Sequence, residues 1–209
     1  MKNISTLLGL FLLTACPFNN GNSQVRLGLK TGLNLANLNA DEELDIDTKI
    51  LPALMIGGIV AIPLSEKFGI LTGVEYQGKG AINREEDDVK AILNYIQIPL
   101  GIQFKNRHLF CSVGPYVAYA FSGKNVNGSD SYKYSFGSTE DDDFSQFDYG
   151  GNIELGYEFG DHVRVSASYS LGLANGVPKD QREDYDGASA ENTVIGFAIS
   201  YLFSKKQTE

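Results

Sequence analysis

Between Val25 and Phe203 nearly every second residue is uncharged and mostly large and apolar, while the residues between are small, polar or charged. The apolar phase runs through Val25, Leu27, Leu29 and Leu33, then Leu54, Ile56 and Val60, then Phe68, Ile70 and Val74. It resumes at Ile96, Ile98, Leu100 and Ile102, at Val113, Val117 and Tyr119, at Ile153, Leu155 and Tyr157, and at Val165, Tyr169, Ile195, Phe197 and Ile199. No position of this phase is charged, although 21% of the chain is. A period of two is that of a β-strand with two different faces, and an uncharged outer face predicts lipid on that side.

Eight segments carry the pattern: residues 25–36, 50–63, 68–80, 91–104, 108–123, 146–159, 162–174 and 191–203. Each has the roughly ten residues that a tilted strand needs to cross a bilayer. The connectors alternate strictly in length. Those at 65–67, 105–107 and 160–161 are short, whereas 37–49, 82–90, 124–145 and 175–190 are long. Short periplasmic turns opposite long extracellular loops, with an even strand number returning both ends to one side, predict an all-β, eight-stranded antiparallel up-and-down transmembrane β-barrel in the outer membrane of a diderm bacterium. Phe68, Phe104, Tyr157, Phe159, Tyr201 and Phe203 are placed for a periplasmic aromatic girdle. Tyr76, Tyr119, Phe121, Phe147, Tyr149 and Tyr169 are placed for the outer one.

Composition agrees: 23 glycines, 11 tyrosines and 12 phenylalanines, with no apolar run of the 18 to 20 residues a spanning helix requires. Lys2 followed by an apolar stretch from Ile4 to Ala15 has the layout of a secretory signal, giving a 1–23 leader and a 24–209 barrel domain. Two processing routes fit: cleavage before Gln24 after the small residues Gly21 and Ser23, or acylation of Cys16 behind the lipobox-like Leu13-Thr14-Ala15. Either leaves Cys111 without an intramolecular partner, and its outward phase reads as a small lipid-facing residue. Loss of residues 1–23 removes one lysine and no acid, moving the net charge from −9 to −10, which argues against nucleic acid as a partner.

The inward phase is polar, and charges away from water must be paired. Arg26, Lys30 and Arg164 are expected to face Glu75, Glu154 and Glu158, with Arg164 and Glu158 close together across the turn at Gly160 and Asp161. Eight strands enclose a space that side chains fill, so the network is expected to plug the barrel; a narrow channel for small solutes is the alternative. The long loops carry acidic clusters, among them Asp41 to Asp47 and Glu140 to Asp143. They read as solvated surface able to meet a protein partner, with Ca²⁺ or Mg²⁺ held near lipopolysaccharide phosphates as the alternative, although none has the spacing of a calcium loop. The outer partners expected are outer-membrane lipid and lipopolysaccharide. No catalytic residue, metal site or cofactor is expected: the two histidines, His108 and His162, both follow short turns, and a triad of His162 with Asp161 and Ser166 is the weaker reading.

Gly28-Leu-Lys-Thr-Gly-Leu-Asn-Leu-Ala36, Tyr95-Ile-Gln-Ile-Pro-Leu100, Gly114-Pro-Tyr116, Asp148-Tyr-Gly150 with Gly156, and Ser200-Tyr-Leu-Phe203 follow one another in the order and spacing of a known family. Over nearly the whole mature chain the sequence resembles the PorT-like small outer-membrane β-barrel proteins of Bacteroidota. The resemblance implies an eight-stranded barrel without catalytic residues and, by analogy with the namesake, an accessory role in type IX protein secretion. Cys16 and the tail 204–209 beyond Phe203 depart from the family pattern.

Overall fold

The computed structural model describes residues 24–40, 47–86, 88–180 and 189–203. Residues 1–23, and with them Cys16 and both processing routes, lie outside the described residues. Eight long strands form the wall: β1 (Arg26–Ala40), β3 (Leu51–Pro63), β4 (Phe68–Asn83), β5 (Val89–Asn106), β6 (Leu109–Asn127), β10 (Phe147–Phe159), β11 (Val163–Gly172) and β12 (Ala190–Phe203). Shorter pieces decorate the long connectors: β2 (Thr48–Lys49), β7 (Asp130–Lys133), β8 (Phe136–Gly137) and β9 (Phe144–Ser145). Every long strand pairs antiparallel with its neighbours, and β1 pairs with β12 to close the cylinder.

The register fixes the geometry of the barrel. From Leu27 the ladder leads to Val60, Thr72 and Leu100. It crosses to Pro115 between the pairs Pro99–Tyr116 and Ile102–Val113, then passes Gly151, Leu171 and Thr193 and returns to β1 at Asn37. The return lies ten residues from the start. A stagger of that size over eight strands tilts them by roughly 40 to 45° and leaves an interior that side chains can fill. Close packing of tilted strands explains Gly32, where a Cβ would fall on the carbonyl oxygen of Phe197 and 2.9 Å from the Cα of Ala198.

The expected outward phase is the exposed face: Leu29, Leu54, Val74, Ile102, Val113, Leu155 and Ile199 are all more than half exposed. So large an apolar surface on a folded chain calls for lipid around it. Rings pair at both margins, Phe68 with Phe104 (5.3 Å) and Tyr157 with Phe159 (4.6 Å) near the short turns, Tyr76 with Phe121 (6.1 Å) and Tyr119 with Phe147 (5.4 Å) at the opposite margin. The connectors differ from the sequence reading in one respect. Strands β4 and β5 continue to Asn83 and Val89, and β6 runs on to Asn127 to pair with β7, so much of 82–90 and 124–145 is hairpin. Above the membrane both faces meet water, the alternation fades, and backbone pairing persists without a sequence signature.

Candidate functional site

The inward side chains form three tiers of charge along the lumen. At the short-turn end the Glu158 carboxylate, 1% exposed, accepts from Arg26 Nη1 and Nη2 (2.9 and 3.0 Å), Lys105 Nζ (2.7 Å) and Arg164 Nε (2.7 Å). These cations come from β1, β5 and β11, so one carboxylate on β10 ties together four strands. Glu158 and Arg164 are direct cross-strand partners, and the guanidinium also lies over the Phe110 ring at 4.6 Å. Its Nη1 and Nη2 atoms have no protein hydrogen-bond acceptor.

One tier up, Lys30 Nζ sits between Glu75 Oε1 (3.2 Å) and Glu154 Oε2 (3.1 Å). Gln77 Nε2 donates to the free oxygen of Glu75 at 2.6 Å, and Asn34 Nδ2 donates to Gln77 Oε1 at 2.6 Å and to the Gly78 carbonyl at 3.0 Å. This chain of donors holds Glu75 in one orientation.

The third tier joins Lys79 Nζ to Asp148 Oδ2 at 2.8 Å. The ammonium lies 4.5 Å from the centroid of Tyr116 and 5.0 Å from that of Tyr95, and Asp148 also accepts from the Tyr116 hydroxyl (3.3 Å) and Asn192 Nδ2 (3.1 Å). Ring faces stabilise a cation withdrawn from water.

Thus Arg26, Lys30, Glu75, Glu154, Glu158 and Arg164 all face the lumen within hydrogen-bonded clusters. Lys79 and Lys105 escaped the sequence reading, and Asp148 entered it only as part of the Asp148-Tyr-Gly150 motif, with no charge partner. Lys79 continues the inward phase two residues past Gln77, which is the signal that could have found it; Lys105 looked like part of a turn. His108 stacks on Tyr157 (5.5 Å) and His162 on Tyr201 (5.5 Å), both on the outward face at the short-turn end, whereas Ser166 is buried on the inward phase, so these residues do not come together as a triad.

Small cavities remain in the lumen between the described residues. One of about 20 Å³ lies among Lys30, Glu75, Glu154, Arg164, Gly101 and Gly114, and one of about 10 Å³ beside Asn34, Gln77 and Ser170. Each has room for one or two water molecules. At the other end Tyr134, Phe136 and Phe144 pack on Leu93, Tyr95, Tyr116, Ala118 and Ala120, laying the connector after β6 over the mouth. Ser145 N donates to Gly176 O (2.8 Å) and Asp180 N to Ser138 O (3.2 Å), tying that connector to the one after β11. Burial pushes the Tyr134 hydroxyl up to about 12, offset in part by the hydrogen bond from Asn125 Nδ2 at 3.1 Å. Hydrogen bonds from the Thr139 hydroxyl and backbone hold the Asp142 carboxyl below its usual range.

Residues 18–176 match the sequence profile of the outer membrane protein beta-barrel domain. Among solved structures the chain is similar to Ail, the attachment invasion locus protein of Yersinia pestis, crystallised with the heparin analogue sucrose octasulfate. The identity is 10%, covering 86% of this chain and 99% of that one with a TM-score of 0.50. Neisserial surface protein A matches to the same degree, 10% identity and TM-score 0.50, over 86% of this chain and 97% of that one. No curated protein sequence matches at a significant level. At such identity the two structures speak to the fold alone.

Proposed function

From the premise that this chain belongs to the outer membrane protein β-barrel domain family and resides in the outer membrane of a Gram-negative bacterium, we propose a non-enzymatic structural or interaction role. In this reading the lumen network is a plug that holds the wall together, and the extracellular loops are the working surface. The observation that carries it is the continuity of the filling: three tiers of paired charge, cavities of water size, and an aromatic cap on the mouth. A conducting path would need a hydrated column past Glu158, Lys30 and Lys79 in turn, and each is held by partners from other strands.

The loops narrow the choice of partner. Residues 37–49, 82–90, 124–145 and 175–190 contain eighteen acidic and seven basic side chains, a net of −11 against −9 for the whole chain. A field of that sign repels polyanions, so the sulfated sugar found with Ail is not the ligand class proposed here. It favours a basic protein surface, or cations shared with lipopolysaccharide phosphates. Within the family we assign the chain to the PorT-like branch of Bacteroidota on the motifs from Gly28 to Phe203; an unchanged profile of secreted cargo on deletion would remove a type IX role.

The deciding experiment is planar-bilayer conductance of refolded protein, with heat-modifiable gel mobility certifying the barrel. Silent bilayers are expected. Steady unitary currents that change in Glu154→Ala or Arg164→Ala would replace the plug by the narrow channel.

A further inference from the structure

The lipid-facing wall carries a groove that the lumen reading leaves unused. Outward positions on one rung run Phe104, Cys111, Leu155, Ala167 and Phe197, each paired with the next across β5, β6, β10, β11 and β12. Cys111 and Ala167 are small and their neighbours large, so the surface is hollowed into an apolar groove of about 660 Å³. Toward the short turns the groove shares Asn106, Leu109 and Tyr157 with a second hollow of about 380 Å³, whose wall is Arg107 and His108. The two are one feature: an apolar trough in the periplasmic half of the membrane with a polar, basic mouth at its surface.

The mouth is built for an anion. Arg107 is exposed and makes no ion pair among the described residues, while Lys105 beside it is engaged by Glu158. The neighbouring turn brings exposed Lys67 close, its carbonyl accepting from Lys105 N at 2.7 Å; Glu66 is the nearby acid of that turn. His108 lies flat on Tyr157, with an interplanar angle of 28°. Arg107 has φ 56°, the conformation that Gly160 (φ 60°) and Gly128 (φ 57°) supply in two other turns. A bulky residue there costs roughly 1 kcal/mol or more, and here it sets a guanidinium at the mouth.

We infer that this trough is a binding site for one anionic phospholipid of the periplasmic leaflet, with an acyl chain over Cys111 and Ala167 and the phosphate at Arg107, His108 and Lys67. The volume lies within the roughly 300 to 1,000 Å³ of small-molecule sites, and the charge favours a headgroup without a compensating amine. The inference rests on membrane placement and is independent of whether the lumen conducts.

The test is native mass spectrometry of the barrel released from detergent supplemented with equal phosphatidylglycerol and phosphatidylcholine. One retained phosphatidylglycerol is expected. Arg107→Gly keeps the turn, because glycine accepts its backbone, and should lower that retention roughly tenfold; Ala167→Trp, filling the trough from the lipid side, should abolish it. Gel mobility confirms that both variants fold. Equal retention of the two lipids, or unchanged retention in either folded variant, would overturn the assignment in favour of ordinary annular lipid.

Discussion

Replacing Glu158 by glutamine keeps shape and volume while removing the one negative charge shared by Arg26, Lys105 and Arg164. The magnitude follows from how far each cation can reach water. Arg26 and Lys105 side chains are 24% and 31% exposed and can rehydrate, so each loses little, about 0.5 to 1 kcal/mol. Arg164 is 2% exposed, and its two terminal nitrogens already lack protein acceptors; with Glu158 neutral, a full charge is buried with one weak acceptor, the Phe110 ring and, across a water-sized cavity, the Glu154 carboxylate that Lys30 already engages. Removing one partner of such a pair costs about 3 to 5 kcal/mol. Unfolding in urea from lipid vesicles, followed by gel mobility or tyrosine fluorescence since the chain has no tryptophan, should therefore show a loss of about 4 to 7 kcal/mol. The double variant Glu158→Gln/Arg164→Met should recover most of it, because the stranded charge is gone. A loss below about 1 kcal/mol in Glu158→Gln, or no recovery in the double variant, would show that solvent reaches Arg164 and that the lower tier does not seal the lumen.

Two further outcomes follow from the same geometry. Gly32→Ala should prevent closure of β1 on β12 or cost several times the usual glycine effect of roughly 1 kcal/mol, whereas Gly151→Ala, with nothing within 4 Å of its Cβ, should change stability by less than about 0.5 kcal/mol in the same urea assay. The Tyr134 cap should be pH-sensitive on the alkaline side only: its hydroxyl is raised to about 12 from an ordinary 10, so its contribution is complete below pH 10 and is lost as pH rises toward 12. Protease cleavage within 124–145 should rise across that window in the wild type and stay flat in Tyr134→Phe.

The barrel was legible in the chain because lipid imposes the same demand at every rung. Val113, Ile153, Tyr169 and Ile195 lie side by side on four strands, and each shows its face through local alternation alone. Strand number and loop asymmetry came from the same pattern. Inside the barrel the demand is different: a charge needs a partner, and the sequence says that one exists without saying which. Glu158 meets Arg26 from 132 residues away and Lys79 meets Asp148 across 69, pairings set by the ten-residue stagger and invisible until the cylinder closes. The cap of Tyr134, Phe136 and Phe144, and the trough over Cys111 and Ala167, arise likewise from neighbours on different strands. Local periodicity determined the wall and its orientation in lipid; only tertiary closure decided who fills the lumen, what covers its mouth, and where the outer surface is hollow, since each depends on register between segments distant in the chain.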